Sequence, residues 1–478
     1  MKVFKFRATA ALTSVIAVTS SLLFPSAVAN SNPSALEQAP TGTRLMHRDL
    51  SSTDSVNWSG PTNPKVSAWS VPGGSCSTMF QGSDGMPIGL CSRYLGVEHG
   101  VNVVVPSITI FDPTTAQPLA VKELHKDGLL GGVYGFLDEN NRVVIAEGHS
   151  IVKIGYHKEA GNWTLTEEDR IVLPDLGSEA PIAGLTPDGL GRIWFATKDA
   201  TVGVIDSAGR IRLHRLGKAT NGGEEITNGL TGRPQGASVL TSHALYELSA
   251  PESPEGEINE AWRHSYDRGS ARKPGQLAWG SGTTPTFFGP NNSRVAIIDN
   301  ADDSPNLIVL DAASGQLTCS IKAFEIGGPG TENSIMASGN SLWLPSTYGF
   351  RYPPFAVDGP SVPAEATYVG GLAKVDLVSN PDGSENCVRR WENKTRIATL
   401  PVLSTTDHRI WAFTTGDSEG GNEREVSLLS VDAQTGQEIS RTPLGVQPID
   451  APLQLTGMLT PQGDIWQATA TRLFKVSN

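Results

Sequence analysis

The chain has 478 residues, 38% of them hydrophobic, and 49 acidic residues against 37 Lys and Arg give a formal net charge of −12. That balance argues against a nucleic-acid backbone as partner, because such binding needs clustered Lys and Arg that release counterions. With 51 glycines and 32 prolines spread along the chain and almost no helical periodicity between them, a helical fold is excluded and an all-β one indicated.

The chain opens Met-Lys-Val-Phe-Lys-Phe-Arg, runs uncharged from Ala8 to Phe24 and reaches the triplet Ala27-Val28-Ala29. A basic start, a short apolar middle and an A-x-A exit are the parts of a secretory signal, so residues 1–29 are expected to be removed and the protein secreted, to the medium or the periplasm. Thr9, Thr13, Ser14, Thr19, Ser20 and Ser21 dilute the apolar run too far for an anchor, and no membrane span is expected after cleavage. Losing Lys2, Lys5 and Arg7, and no carboxylate, takes the formal net charge from −12 to −15. Residues 30–64, rich in Ser, Pro, Asn and Thr, read as a flexible leader. Residues 65–478 read as one domain.

An exported chain meets an oxidising compartment, and Cys76, Cys91, Cys319 and Cys387 are expected to form two disulfides. Of the three connectivities, the short loop around Gly82, Gly85 and Pro87 favours Cys76 with Cys91, leaving Cys319 with Cys387. Neither pair has zinc-site or C-x-x-C spacing.

A repeat decides the architecture. It is clearest at Gly184-Leu-Thr-Pro-Asp-Gly-Leu-Gly-Arg-Ile-Trp-Phe-Ala-Thr197 and returns at Gly457-Met-Leu-Thr-Pro-Gln-Gly-Asp-Ile-Trp-Gln-Ala-Thr469. Trp194, Trp343, Trp411 and Trp466 hold the same place in their units and are expected to wedge between sheets. The third strand of each unit is a short apolar run: Ile108 to Asp112, Val152 to Tyr156, Val202 to Asp206, Ala244 to Leu248, Leu307 to Asp311, Leu372 to Asp376, Leu428 to Asp432 and Leu473 to Ser477. Their mean spacing is about 52 residues, close to the repeat of four-stranded propeller blades. The last unit has three strands, and Lys65-Val-Ser-Ala-Trp-Ser-Val71 is the natural donor of a fourth that closes the ring. The expected fold is therefore a single all-β propeller of eight four-stranded blades. Seven is the alternative count, because the units around Val101 to Leu124 and Gly229 to Leu248 match the pattern poorly.

The turns Leu310-Asp-Ala-Ala-Ser-Gly-Gln-Leu317 and Val431-Asp-Ala-Gln-Thr-Gly-Gln-Glu438, with a blurred copy at Phe111-Asp-Pro-Thr-Thr-Ala-Gln-Pro118, resemble the D-A-x-T-G-x blade turn of quinoprotein dehydrogenase-like propellers. The Thr-Pro-Asp-Gly…Ile-Trp-Phe-Ala-Thr unit is also similar to blades of the gluconolactonase, strictosidine synthase and streptogramin lyase propellers. Such likeness implies a fold and no chemistry of its own. Quinone-dependent members of the first group carry an adjacent-cysteine disulfide, and some a C-x-x-C-H haem site. This chain has neither, so pyrroloquinoline quinone is not expected.

In a propeller, the loops between second and third strands and those entering each first strand share one face around the channel, where function usually lies. Those loops supply Glu147 and His149 in the second unit, Asp299 and Asn300 in the fifth, Glu225 and Asn228 ahead of the fourth, and Glu332 and Asn333 ahead of the sixth. His149 could act as general base with Glu147 orienting it. Oxygen ligands converging on one mouth could hold Ca²⁺. The likeness to lactonase-type propellers, which use a Glu, Asn and Asp set, implies Glu332, Asn333, Asp299 and Asn300 as that site. The long loop from Ser346 to Thr367, with Tyr348, Phe350, Arg351, Tyr352 and Phe355 among prolines, reads as a lid or stacking platform. Tyr348, Arg351, Tyr352, Glu225 and Asn228 are the expected contacts to substrate. Without a phosphate-loop spacing or a G-x-S-x-G elbow, serine-hydrolase chemistry has little support. The expectation is a metal-assisted, lactonase-like or lyase-like enzyme acting on a small organic or sugar-derived molecule. The alternatives are a non-catalytic propeller that binds a glycan or protein, and a quinone-dependent oxidoreductase.

Overall fold

The computed structural model describes residues 44–98, 101–125, 134–176, 180–217, 223–253, 255–416 and 424–478. The expected signal segment, residues 1–29, and residues 30–43 of the leader lie outside the described residues.

The third blade shows how the sequence builds one. Ile182–Pro187, Ile193–Thr197, Thr201–Ile205 and Ile211–Arg215 pair in chain order. Between the first two, Asp188 Oδ1 accepts the N–H groups of Leu190 and Arg192, the side-chain turn that Asp favours. The second and third strands are buried throughout, while the outer one alternates between half-buried and exposed. This follows from stacking, since each sheet is covered on both faces by its neighbours and meets water at its outer edge.

Eight such sheets follow one another, and every expected third strand is third in its sheet. Eight apolar clusters, one in each seam between consecutive blades, make a continuous ring of core. Trp194, Trp343, Trp411 and Trp466 fill four of these seams. A second set of tryptophans sits on outer strands. Trp262 lies over Gly315 and Trp391 over Gly436, where a Cβ would come within 2.6 and 2.7 Å of the indole. Both glycines also have positive φ, so the blade turn needs glycine for its conformation and for the ring packed on it.

Lys65–Ser70 pairs antiparallel with Leu473–Ser477 and completes the eighth blade, as the unpaired edge requires. Cys76 and Cys91 face each other across two strands of the first blade. Cys319 and Cys387 tie the outer strand of the fifth blade to that of the sixth.

Part of the segment expected to be a leader, residues 44–58, lies inside the ring. Its backbone carbonyls accept N–H groups from first strands of four blades: Arg44 from Leu137, Ser51 from Phe287, Thr53 from Ala337 and Asp54 from Leu403. Ser55–Val56 adds a short parallel strand to the seventh blade. Leu45, Leu50 and Val56 join the cores of two seams. We call this segment the plug.

Candidate functional site

The plug is polar where it turns back near the channel mouth. His47 Nδ1 meets Asp54 Oδ2 at 3.0 Å, and His47 Nε2 meets Thr284 Oγ1 at 3.1 Å. Asp49 accepts the N–H groups of Ser51 and Thr53 and the Thr53 hydroxyl, and burial pushes its carboxyl up to about 6. Arg48 reaches across to Gly457 O at 2.7 Å, and burial lowers its pKa. These contacts fix the turn as a floor.

Two long loops roof the same end. Residues 346–371 are bound to residues 266–285 through Asp358 N to Leu277 O, Val362 N to Arg272 O, and the Arg272 guanidinium to Gly359 O. An exposed ion pair, Lys198 Nζ to Asp358 Oδ2 at 2.6 Å, reaches the third blade. This is the loop expected to act as a lid or stacking platform.

Beneath it stand Glu332, Tyr352, Tyr134, Tyr368 and Phe350. Phe350 meets Tyr352 and Tyr368 edge to face, with ring centroids 5.0 and 5.5 Å apart. Tyr368 donates to Ile397 O at 2.5 Å, whereas the Tyr352 hydroxyl is buried with no hydrogen-bond partner. Tyr134 converges with Thr284 and His47 of the floor on Gly229, where a Cβ would come within 3.3 Å of the Tyr134 ring. Glu332 Oε2 accepts the Leu277 N–H at 3.0 Å. Burial drives the Glu332 carboxyl up to about 8, against the pull of the Arg272 charge. Burial and the Glu332 charge also raise Tyr134 and Tyr352. Glu332 keeps partial exposure. A cavity of about 590 Å³ is lined by Phe350, Arg351, Glu365, Tyr368 and Leu453 among others. On the opposite face, clefts run between blades, as beside Arg192 and Arg210, whose guanidinium groups pair with Asp188 and Asp206.

Of the residues expected from the sequence, Glu332 and Tyr352 come together here. Tyr348 packs over Gly328 at the root of the lid, and Arg351 is exposed beside Glu365. Asn228 is buried and donates to Ser281 O, and Glu225 is exposed at the rim, its N–H on Ser242 Oγ. The four expected calcium ligands are committed in different ways. Asp299 holds its own loop through Ala301 N, Asn306 N and Asn306 Nδ2. The Asn300 amide donates to Arg268 O and Ala271 O, and that of Asn333 to Thr399 O and Gln454 Oε1. Among the described residues, no group of three or more His, Cys, Asp or Glu side chains could hold a metal ion. The expected set has only two carboxylates, Glu332 and Asp299, and the Asn300 carbonyl oxygen is buried with no hydrogen-bond partner. In the second blade, Glu147 gives one oxygen to the His125 N–H and the other to Arg170, while His149 is exposed.

Tyr134, Tyr368, Arg272 and the plug were not legible as site residues. Tyr134 could have been found, because it immediately precedes a first strand, Gly135–Leu137.

No protein-family model matches the sequence, and no curated protein resembles it. Among solved structures, a quinohemoprotein alcohol dehydrogenase from Comamonas testosteroni superposes with a TM-score of 0.54 at 10% identity, over 92% of this chain and 81% of that one. The likeness is one of fold. It shows the propeller fold alone, and at this identity it carries no activity. BamB from Moraxella catarrhalis aligns over 72% of this chain and 96% of its own at 15% identity, with a TM-score of 0.37.

Proposed function

We propose that this is an exported propeller that takes a small organic molecule into the recess between lid and plug. The observation that carries the reading is the Tyr352 hydroxyl, buried with no hydrogen-bond partner, near a Glu332 carboxyl that has one backbone N–H, with a cavity of about 590 Å³ along the same loop. Buried polar groups are normally satisfied, and exceptions concentrate where a ligand completes them. Export is supported by the signal-like start and by two disulfides, which persist in oxidising compartments.

A second reading, proton-transfer catalysis on that molecule, is favoured by one fact. A carboxyl held near 8 is protonated at neutral pH and can serve as a general acid. Lactone or ester cleavage is one reaction such an acid could assist, and no step is routed through a metal.

The test is ligand screening by saturation-transfer NMR, with sugars, lactones and small amines, against the purified protein, Glu332→Gln and Tyr352→Phe. Ligands of the recess lose binding in Glu332→Gln and weaken in Tyr352→Phe, and NMR of the incubated mixture separates binder from enzyme. Ligands that bind all three proteins alike would place function elsewhere.

A further inference from the structure

The rim of the mouth carries a feature of its own, outside the recess. Trp279, in the loop 266–285, is 41% exposed, although tryptophans are on average highly buried. Its indole is nonetheless fixed in place. The ring N–H donates to Arg268 O at 2.9 Å and to Gly269 O at 3.2 Å. One ring face is covered by the Arg268 guanidinium, whose Cζ lies 3.6 Å from the ring centroid, a cation–π contact. Arg268 is held in turn, because Nη1 donates to His243 Nε2 at 2.7 Å and His243 Nδ1 meets Ser242 Oγ at 2.9 Å. Burial and the Arg268 charge keep the His243 imidazole below its ordinary value, so the ring is neutral, with Nε2 accepting and the proton on Nδ1. With one face and the N–H edge engaged inside the protein, what stays exposed is centred on the second face.

Polar groups surround that face. Gly280, the next residue, lies against Ser242, whose Cα a Cβ there would approach to 3.3 Å. The Ser242 N–H donates to Glu225 O, which sets Glu225 beside the indole loop. On the other side, Leu277 O accepts the Asp358 N–H, and the Asp358 carboxylate pairs with Lys198. The Asp358 hydrogen bond, and more weakly the Asp358 and Glu225 charges, raise the Lys198 pKa, so the three charged groups share one neighbourhood. Glu225 and Asp358 are exposed and Lys198 is half-buried.

This arrangement selects among ligands. A protein partner buries apolar neighbours around its aromatic anchor, and here the neighbours are charged. A cation is already seated on the covered face. A pyranose is different, because it has a face of C–H groups and an edge of hydroxyls. The weakly positive C–H groups suit the negative face of the ring, the hydroxyls can donate to carboxylates and accept from an ammonium, and a pinned indole loses little freedom on binding.

We propose that Trp279 is the stacking platform of a carbohydrate subsite on this rim, taking one pyranose ring of a neutral glycan on its open face, with Glu225, Lys198 and Asp358 around the hydroxyls. The subsite stands apart from the recess and does not depend on it.

The experiment is saturation-transfer NMR and calorimetry of the purified protein with cellohexaose, xylohexaose, maltohexaose and chitohexaose, repeated on Trp279→Ala, Trp279→Phe and Glu332→Gln. At least one of these sugars should bind the wild type. Its affinity should fall by about tenfold or more in Trp279→Ala and by less in Trp279→Phe, and should be unchanged in Glu332→Gln. In the wild type, saturation should be strongest on the C–H protons of one pyranose face, a readout that stands even where Trp279→Ala disturbs the loop. Binding that is unaltered in Trp279→Ala overturns the proposal, as does a panel with no binder. A sugar kept by Trp279→Ala and lost in Glu332→Gln also overturns it, and assigns that sugar to the recess instead.

Discussion

Replacing Glu332 by Gln should stabilise the protein, and by an amount that grows with pH. The folded carboxyl sits at about 8 and the ordinary value is 4.5, so the folded state holds its proton through a window in which the unfolded state has lost it. Stability is therefore present below about 4.5 and is lost as pH rises toward 8. At about 1.4 kcal/mol per pH unit the wild type forfeits at most about 5 kcal/mol across that window, less to the extent that water enters the recess. Gln has the same shape and no titration. With an unfolding entropy near 2 cal/mol/K per residue, a domain of roughly 430 residues shifts its Tm by about 1 °C per kcal/mol. Scanning calorimetry of both proteins from pH 5 to 9 should show the difference in Tm opening by about 1.5 °C per pH unit and flattening above pH 8. Any fixed offset from the new amide is independent of pH, so the slope is the diagnostic. A difference that stays flat refutes the reasoning, because it means Glu332 titrates like an exposed carboxylate.

Two turns of the same blade give a paired test. Asp188, fully buried, accepts from two backbone N–H groups, from Arg192 and from the Trp194 indole, so Asp188→Ala should cost roughly 3–5 kcal/mol by leaving buried donors unpaired. Asp206 makes a similar turn at the surface, and Asp206→Ala should cost within about 1 kcal/mol; urea unfolding compares the two. Removing the Cys319–Cys387 bridge, which spans 68 residues, should lower stability by about 4 kcal/mol in the chain-entropy model, read as a drop in calorimetric Tm. Lys198→Ala breaks an exposed pair and should leave Tm within about 1 °C, while stopped-flow ligand binding should show faster entry and exit as the lid loosens.

The architecture was legible because a repeat of about 52 residues brings an apolar third strand eight times, and in four units an Ile-Trp or Leu-Trp wedge beside it. The first and fourth blades were harder to see for local reasons. Pro87–Gly96 and Asn102–Phe111 overrun the usual strand length, and the second strand of the fourth blade, Gly236–Leu240, has no tryptophan. Both cysteine pairings followed from counting and loop length. The site was legible only where composition is unusual, at the aromatic loop and at Glu332 ahead of a first strand. The plug was missed because Ser, Thr, Asp and Asn describe a solvated coil and an internal hydrogen-bonded turn equally well; what separates them is the supply of strand-edge N–H groups inside the ring, which no local pattern reveals. The calcium expectation rested on residue types; Asp299 holds its own loop, as short polar side chains do in tight loops, and the Asn300 and Asn333 amide groups donate to neighbouring loops.

The strand Lys65–Ser70 cannot find its partner until Leu473–Ser477 exists, and the plug ahead of it touches first strands from the second blade to the seventh. The first part of the described chain to be synthesised is thus among the last to be placed. Blades can form in order as they emerge, but the circle stays open until Leu473–Ser477 has been made. The export proposed above, as an unfolded thread, suits such a molecule, because the contacts that lock it cannot form before that strand arrives.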